Sequence, residues 1–330
     1  MNILMIGGTR FVGKHCAELL LAKGHSVTVF HRGKTASVLP GAHEIIGDRD
    51  GDLSVLQTRQ WDAVIDTCGY VPRVVKKSCD ALQNNTRRYI FISTISVYAE
   101  FNKPGLTEDS ALAVIDDPQT EVVDERTYGA LKVLCEQVIN ETFGDNATIV
   151  RPGLIVGPDD YTDRYTYWIR RVAQGGRIVA PDEKEMHTQY VDVRDLAAFT
   201  VLLLEKGIGT TVHVTGPEKP LTLGEHLSLC KDMLNKDAEF VWMPAKFLEE
   251  QKVGPWMDMP LWIPQESDMS GLDRVDISKA LSLGLKCRPS ADTIRDTSVW
   301  DTSREQLPMK AGLSPEREQS VLAQWDARKS

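Results

Sequence analysis

Tyr128 and Lys132 lie four residues apart in Tyr128-Gly129-Ala130-Leu131-Lys132. On a helix this spacing puts a phenol and an ammonium on one face. A cation beside a phenol favours the phenolate, so Lys132 is expected to draw the Tyr128 pKa down from its usual ~10. Such a tyrosine can pass a proton to or from a substrate oxygen while a nicotinamide transfers hydride. Upstream, Ser93-Thr94-Ile95-Ser96-Val97-Tyr98 gathers hydroxyls at the end of an apolar run. A hydroxyl there can join Tyr128 in polarising a carbonyl, with Tyr70 and Ser96 as further candidates for the pocket wall.

The elements that must position these groups can be read from the pattern. Residues 1–6 form an apolar strand that runs into Gly7-Gly8-Thr9-Arg10-Phe11-Val12-Gly13, followed by apolar residues at helical spacing. A buried strand, a glycine turn and a helix start make the first unit of a dinucleotide-binding sheet. The glycines let main chain approach a pyrophosphate, and the free N–H groups of the helix start attract its charge. Further strand patterns at 26–30, 42–46, 62–66, 89–93 and 147–151 alternate with helices from about 72 to 82 and about 124 to 143. This alternation predicts an α/β fold, a Rossmann-type doubly wound parallel sheet. A later strand at 211–214 is expected to return to the same sheet. The reading divides the chain into an NADP-binding domain of 1–155 with 186–215, and a smaller C-terminal substrate lobe of 156–185 with 216–330.

In that lobe the regular alternation is lost, and prolines and tryptophans become frequent. Trp256-Met257-Asp258-Met259-Pro260-Leu261-Trp262 is expected to form a lid or pocket wall, although for any single tryptophan a core role is favoured. Arg164, Arg170 and Arg171 suit either an anionic substrate or a solvated helix face, and the latter is favoured.

At the end of the second strand, where simple NAD sites carry an acid, the chain reads Phe30-His31-Arg32-Gly33-Lys34. A guanidinium binds phosphate with paired hydrogen bonds, while an acid repels it. Arg32, with Lys34 and Arg10, is therefore expected to hold the 2′-phosphate of NADP(H), with NAD as the alternative cofactor. Asp48, in Gly47-Asp48-Arg49-Asp50, is either an adenine contact or a plain turn carboxylate.

At 330 residues the chain can bury a sizeable core, and a net charge of −9 argues against nucleic acid as its main partner. No apolar run approaches the ~20 residues that span a bilayer, so no membrane association is expected. The N-terminus reads as a core strand, and no signal peptide is expected before it. Six cysteines without CxxC pairing suit a reduced, cytoplasmic protein. No histidine and carboxylate spacing suggests a metal; His15, His25, His43, His213 and His226 read as structural or solvent-facing.

Glycine motif, strand-end hydroxyls, Tyr-x-x-x-Lys, Arg151-Pro152-Gly153 and the run from Gln189 to Ala197 together resemble the extended short-chain dehydrogenase/reductases. That superfamily includes nucleotide-sugar epimerases and dehydratases, and the resemblance covers most of the chain. It implies Thr94, Tyr128 and Lys132 as the catalytic set, with Lys132 also on the nicotinamide ribose. It implies that main chain from Gly153 to Ile155 holds the carboxamide and that two long helices form a homodimer. His31, Arg49, Thr67, Cys68, Gly69, Ser93, Pro152 and Leu154 complete the expected cofactor-binding set. Arg10 stands where the family has its middle glycine, a variant similar to the subgroup with chloroplast stem-loop-binding proteins. Leu154 replaces the asparagine that contacts the diphosphate in nucleotide-sugar enzymes, and Ile95-Ser96 replaces the Asp-Glu pair of dehydratases. The expected function is NADP(H)-dependent hydride transfer to or from a carbonyl or alcohol of a small molecule. An NAD-dependent sugar or nucleotide-sugar epimerase is the alternative, followed by an RNA-binding or sensor protein that retains the fold.

Overall fold

The computed structural model describes residues 1–34, 39–305 and 308–329. Its elements in chain order begin with β1 (Asn2–Ile6), α1 (Phe11–Ala22), β2 (Ser26–His31), β3 (His43–Ile46), β4 (Ala63–Asp66) and α2 (Pro72–Leu82). They continue through β5 (Tyr89–Ile92), α3 (Tyr128–Phe143), β6 (Ala147–Pro152), β7 (Leu154–Val156), α4 (Thr166–Gln174) and β8 (Gly176–Pro181). Then come β9 (His187–Thr188), β10 (Tyr190–Asp192), α5 (Val193–Lys206), β11 (Thr210–Val214), β12 (Leu221–Thr222) and α6 (Leu223–Leu234). The last are β13 (Ala238–Met243), α7 (Ala245–Glu250), α8 (Ser278–Leu283), α9 (Ser290–Ser303) and α10 (Pro315–Lys329).

Seven strands in the order β11-β6-β5-β4-β1-β2-β3 form one sheet, and every pair in it is parallel. A parallel sheet is covered on both faces, which is why β1, β4 and β5 read as unbroken apolar runs instead of alternating. On one face Cys16, Ala17 and Leu20 of α1 and Leu196, Phe199 and Leu203 of α5 share a core. On the other, Val75, Cys79 and Leu82 of α2 pack with Cys135, Ile139 and Phe143 of α3. The strand order reverses between β1 and β4, and in such sheets ligands bind at the carboxyl ends beside that reversal. All six cysteines are free. Among the described residues, no helix is long and apolar enough to cross a membrane.

Beyond residue 155 the chain is more regular than its composition predicts. β8 pairs in parallel with β13, and α4, α6 and α10 pack around them in a separate core that includes Trp168, Ile178, Leu227 and Val321. Short amphipathic helices joined by proline-rich loops give too few repeats for their period to stand out. The long helix also begins at Tyr128 instead of Asp124. Asp124 turns back on itself, its carboxylate accepting from the N–H groups of Arg126 (2.9 Å) and Thr127 (3.0 Å). An aspartate that binds its own following amides ends the helix rather than extending it.

A buried ion pair ties the layers together. Arg151 of β6 donates from Nη2 to Glu136 of α3 at 2.7 Å, and from Nη1 to the Tyr98 hydroxyl at 2.9 Å. The Ser93 hydroxyl donates to the same glutamate, and Tyr98 in turn meets His213 of β11. The end of β5 is thereby held against α3. Glu136→Ala would strand the Arg151 guanidinium without a counter-charge and should destabilise the fold by about 3–5 kcal/mol. Chemical denaturation of the two proteins measures that difference.

Candidate active site

The glycine turn is built by close approaches that no side chain would survive. Gly7 and Gly8 have φ of +90° and +101°, in the left-handed region. A Cβ on Gly13 would come within 2.5 Å of the Gly8 main chain. Arg10 caps α1 in an extended conformation and makes no side-chain cap. The first N–H groups of α1 therefore remain available to an anion at the helix start.

The turn opens into a cleft of about 940 Å³ along the carboxyl ends of the sheet. Every site residue expected from sequence lines this cleft except Gly69. Gly69 stands behind the wall instead, because its Cα packs on Phe91, and it contributes only a carbonyl to Lys132. His31, Arg32, Lys34, Asp48 and Arg49 gather at one end. There the Arg49 guanidinium is already engaged, with two bonds to buried Asp66 at 2.9 and 2.8 Å. Although burial opposes it, Arg49 holds the Asp66 carboxyl below the usual carboxylate range. Asp48 behaves as a turn carboxylate, accepting from Asp50 N–H at 3.0 Å while still facing the cleft.

At the other end, Gly129 decides the geometry. A Cβ there would lie 2.1 Å from the Ser96 carbonyl oxygen, so only glycine lets α3 close on the hydroxyl loop. Tyr128 is thereby brought beside Thr94, whose hydroxyl accepts from Ser96 N–H and donates to Ser96 Oγ, both at 3.1 Å. Lys132 is buried and donates from Nζ to the carbonyls of Ile92 (2.8 Å) and Gly69 (2.9 Å). Burial lowers its pKa to about 8. The expected depression of the Tyr128 pKa is not found. Burial raises it, and the opposing influences are the Thr94 hydroxyl and the charge of Arg164. Lys132, committed to two carbonyls, does not counter that rise.

The C-terminal part supplies the facing wall. The loop of 157–165 is clasped to α1 by Lys14, which donates to Asp159 at 2.8 Å, and by His15. It carries Tyr161, Thr162 and Arg164 into the cleft, and Tyr161 stands edge-on to Phe11 of the glycine turn. Trp256 closes the same side, which accords with a pocket wall, whereas Trp262 is core and hydrogen-bonds Glu183. Arg170 and Arg171 are not substrate groups, since Asp301 and Glu318 pair with them at 2.6 Å. Leu272 and Asp273 also line the cleft, and nothing in the aperiodic stretch around them singles them out by sequence.

Asp273 is 93 % buried by its 7 % exposure and has no hydrogen-bonding partner among the described residues. Burial raises its pKa to about 8. In the unfolded chain an aspartate titrates near ~4, so the folded protein holds an extra proton between the two values. The stability tied to protonated Asp273 is thus complete at acid pH and is lost as pH rises towards 8. Melting temperatures from pH 5 to 8 should fall more steeply for the wild type than for Asp273→Asn.

A doubly wound parallel sheet, a glycine cradle at its switch point and a Tyr-Lys pair across the same cleft define a Rossmann-type dinucleotide-dependent enzyme. Residues 3–214 match the NAD-dependent epimerase/dehydratase family, and the chain belongs to it. It is 29 % identical over 248 residues to the chloroplast stem-loop binding protein of 41 kDa b from Arabidopsis thaliana, covering 69 % of this chain and 62 % of that protein. Identity to 2′-dehydrokanamycin reductase of Streptomyces kanamyceticus is 23 % over 267 residues, 76 % of this chain and 72 % of that one. The fold superposes on the UDP-glucuronic acid 4-epimerase of Bacillus cereus in complex with NAD with a TM-score of 0.66. That match covers 92 % of this chain and 99 % of the epimerase at 19 % identity, a likeness of fold.

Proposed function

We propose that the protein is an NADP(H)-dependent oxidoreductase that moves hydride to or from a carbonyl or alcohol of a small molecule. The observation that carries this reading is the single cleft that joins the glycine cradle to Tyr128, Thr94 and Lys132. Gly7, Gly8 and Gly13 leave the space a pyrophosphate needs, and an added Cβ at Gly7 or Gly13 would fill it or collide behind it. Arg10, Arg32 and Lys34 are exposed at the adenosine end, and none makes an ion pair among the described residues. Three cations with no acid ending β2 favour a 2′-phosphate over a ribose hydroxyl.

When bound, the nicotinamide exchanges hydride with the substrate carbon. In the reducing direction Tyr128 Oη gives its proton to the carbonyl oxygen as that hydride arrives, and the phenolate regains a proton from solvent. The Thr94 hydroxyl orients the oxygen being protonated. An ammonium has three donors, and the carbonyls of Ile92 and Gly69 occupy two on Lys132. The third is free for the coenzyme ribose. Main chain from Gly153 to Ile155 would hold the carboxamide; a Cβ on Gly153 would meet Thr215 at 2.5 Å.

Tyr128→Phe should lower kcat about 10²–10⁴-fold while leaving coenzyme affinity intact. Coenzyme-dependent turnover across a carbonyl and alcohol panel checks this, and full retained activity would refute the role. Fluorescence titration should show NADPH binding more tightly than NADH. Arg10→Ala with Arg32→Ala should then cost NADPH roughly tenfold or more and spare NADH. Tightly held NAD in freshly purified protein would instead favour the sugar epimerase.

A further inference from the structure

Within the C-terminal part of the chain, most arginines are met by carboxylates. Arg170 pairs with Asp301 and Arg171 with Glu318 at 2.6 Å, Arg304 with Asp163 and Arg194 with Asp192 at 2.7 Å. Arg164 differs. It is partly buried, it faces the cleft, and no carboxylate among the described residues lies within ion-pair distance. Among the described residues its one hydrogen bond runs from Nε to Thr162 Oγ1 at 3.3 Å. A guanidinium carries five N–H donors, so four remain without a protein acceptor. Desolvation of a guanidinium is costly, and burial lowers the Arg164 pKa from its ordinary value although the nearby charge of Asp160 opposes that shift.

The group is also held in place. Its Cζ sits 5.3 Å from the centre of the Trp256 ring, a cation–π contact. Trp256 itself adopts φ of +66°, unusual for a bulky residue. Its N–H donates to the carbonyls of Met259 (3.1 Å) and Trp262 (3.3 Å). A strained residue pinned at a cleft wall is what a preorganised contact requires. Arg164 and Tyr128 line the same cleft, and the charge of Arg164 is felt at Tyr128.

We propose that Arg164, backed by Trp256, is the anchor for a carboxylate carried by the substrate near its reacting carbon. The substrate class is then a ring-bearing hydroxy or oxo acid, its ring against Trp256 and Leu272. A single guanidinium matches one carboxylate with paired hydrogen bonds. A dianionic phosphate would want further cations, and here the nearest charged neighbour is the buried carboxyl of Asp160. This deepens the oxidoreductase reading and rests on it, since the reacting carbon is taken to lie at Tyr128.

The test is direct binding, which needs no turnover. Calorimetry would compare benzoate, phenylacetate and cyclohexanecarboxylate with their carboxamides, up to millimolar concentrations, with and without NADP⁺. The expected result is that at least one acid binds roughly 10- to 100-fold more tightly than its amide. Arg164→Gln should abolish that ratio and Arg164→Lys should keep part of it, both with wild-type coenzyme affinity and melting temperature. Equal binding of acids and amides, no saturable binding of any acid, or an unchanged ratio in Arg164→Gln overturns the proposal. The last result would leave Arg164 as a cation tuning Tyr128. Acid binding lost in Arg164→Gln in a protein without dehydrogenase activity would keep the anchor and sink the oxidoreductase reading. Turnover confined to uncharged carbonyls would do the reverse.

Discussion

The contact between the Gly129 Cα and the Ser96 carbonyl is the constraint on which the candidate site depends. A side chain at 129 would push α3 outward by the bulk of a methyl group, and Tyr128 would withdraw from Thr94 with it. The helix can afford no such shift on its inner side either, because Glu136, one further face of the same helix, is locked to Arg151 and Ser93. One end of α3 is positioned by the absence of a side chain and its middle by a buried charge pair. Between these two fixed points Lys132 has little freedom, and the carbonyls of Gly69 after β4 and Ile92 of β5 collect its ammonium.

Burial sets the electrostatics. A cation beside a phenol is expected to favour the phenolate, yet in this fold each member moves away from its charged form. Lys132 is pulled down and Tyr128 is pushed up by the loss of solvent. Besides Lys132, positive charge in the cleft comes from Arg164 on the facing wall and from exposed Arg10, Arg32 and Lys34 at the other end. The site is polarised from its two ends rather than from its centre.

Much of this was legible in the chain because it is local. The glycine turn, the hydroxyl loop and the Tyr-x-x-x-Lys face each lie within one element or one turn, and the alternation of strands and helices fixes their order. The unread part is what depends on distant partners. Arg49, expected in the cofactor-binding set, has its guanidinium taken up by Asp66, and Arg170 and Arg171, read as a solvated helix face, are met by acids from α9 and α10. Asp273 carries no signal at all, since its meaning comes only from burial. Gly129 was visible as a residue of the motif, but its reason lies in a carbonyl more than thirty positions upstream.

The clasp of Lys14 and His15 on Asp159 joins the first turns of α1 to the loop that bears Tyr161 and Arg164. Whatever settles on the glycine turn presses on the same helix that holds this loop. The two halves of the cleft therefore share one mechanical element, and free energy spent in ordering it for one ligand need not be spent again for the other. By thermodynamic reciprocity any coupling carried by this clasp, which lies outside either pocket, would act on both ligands by the same factor and favour neither order of binding.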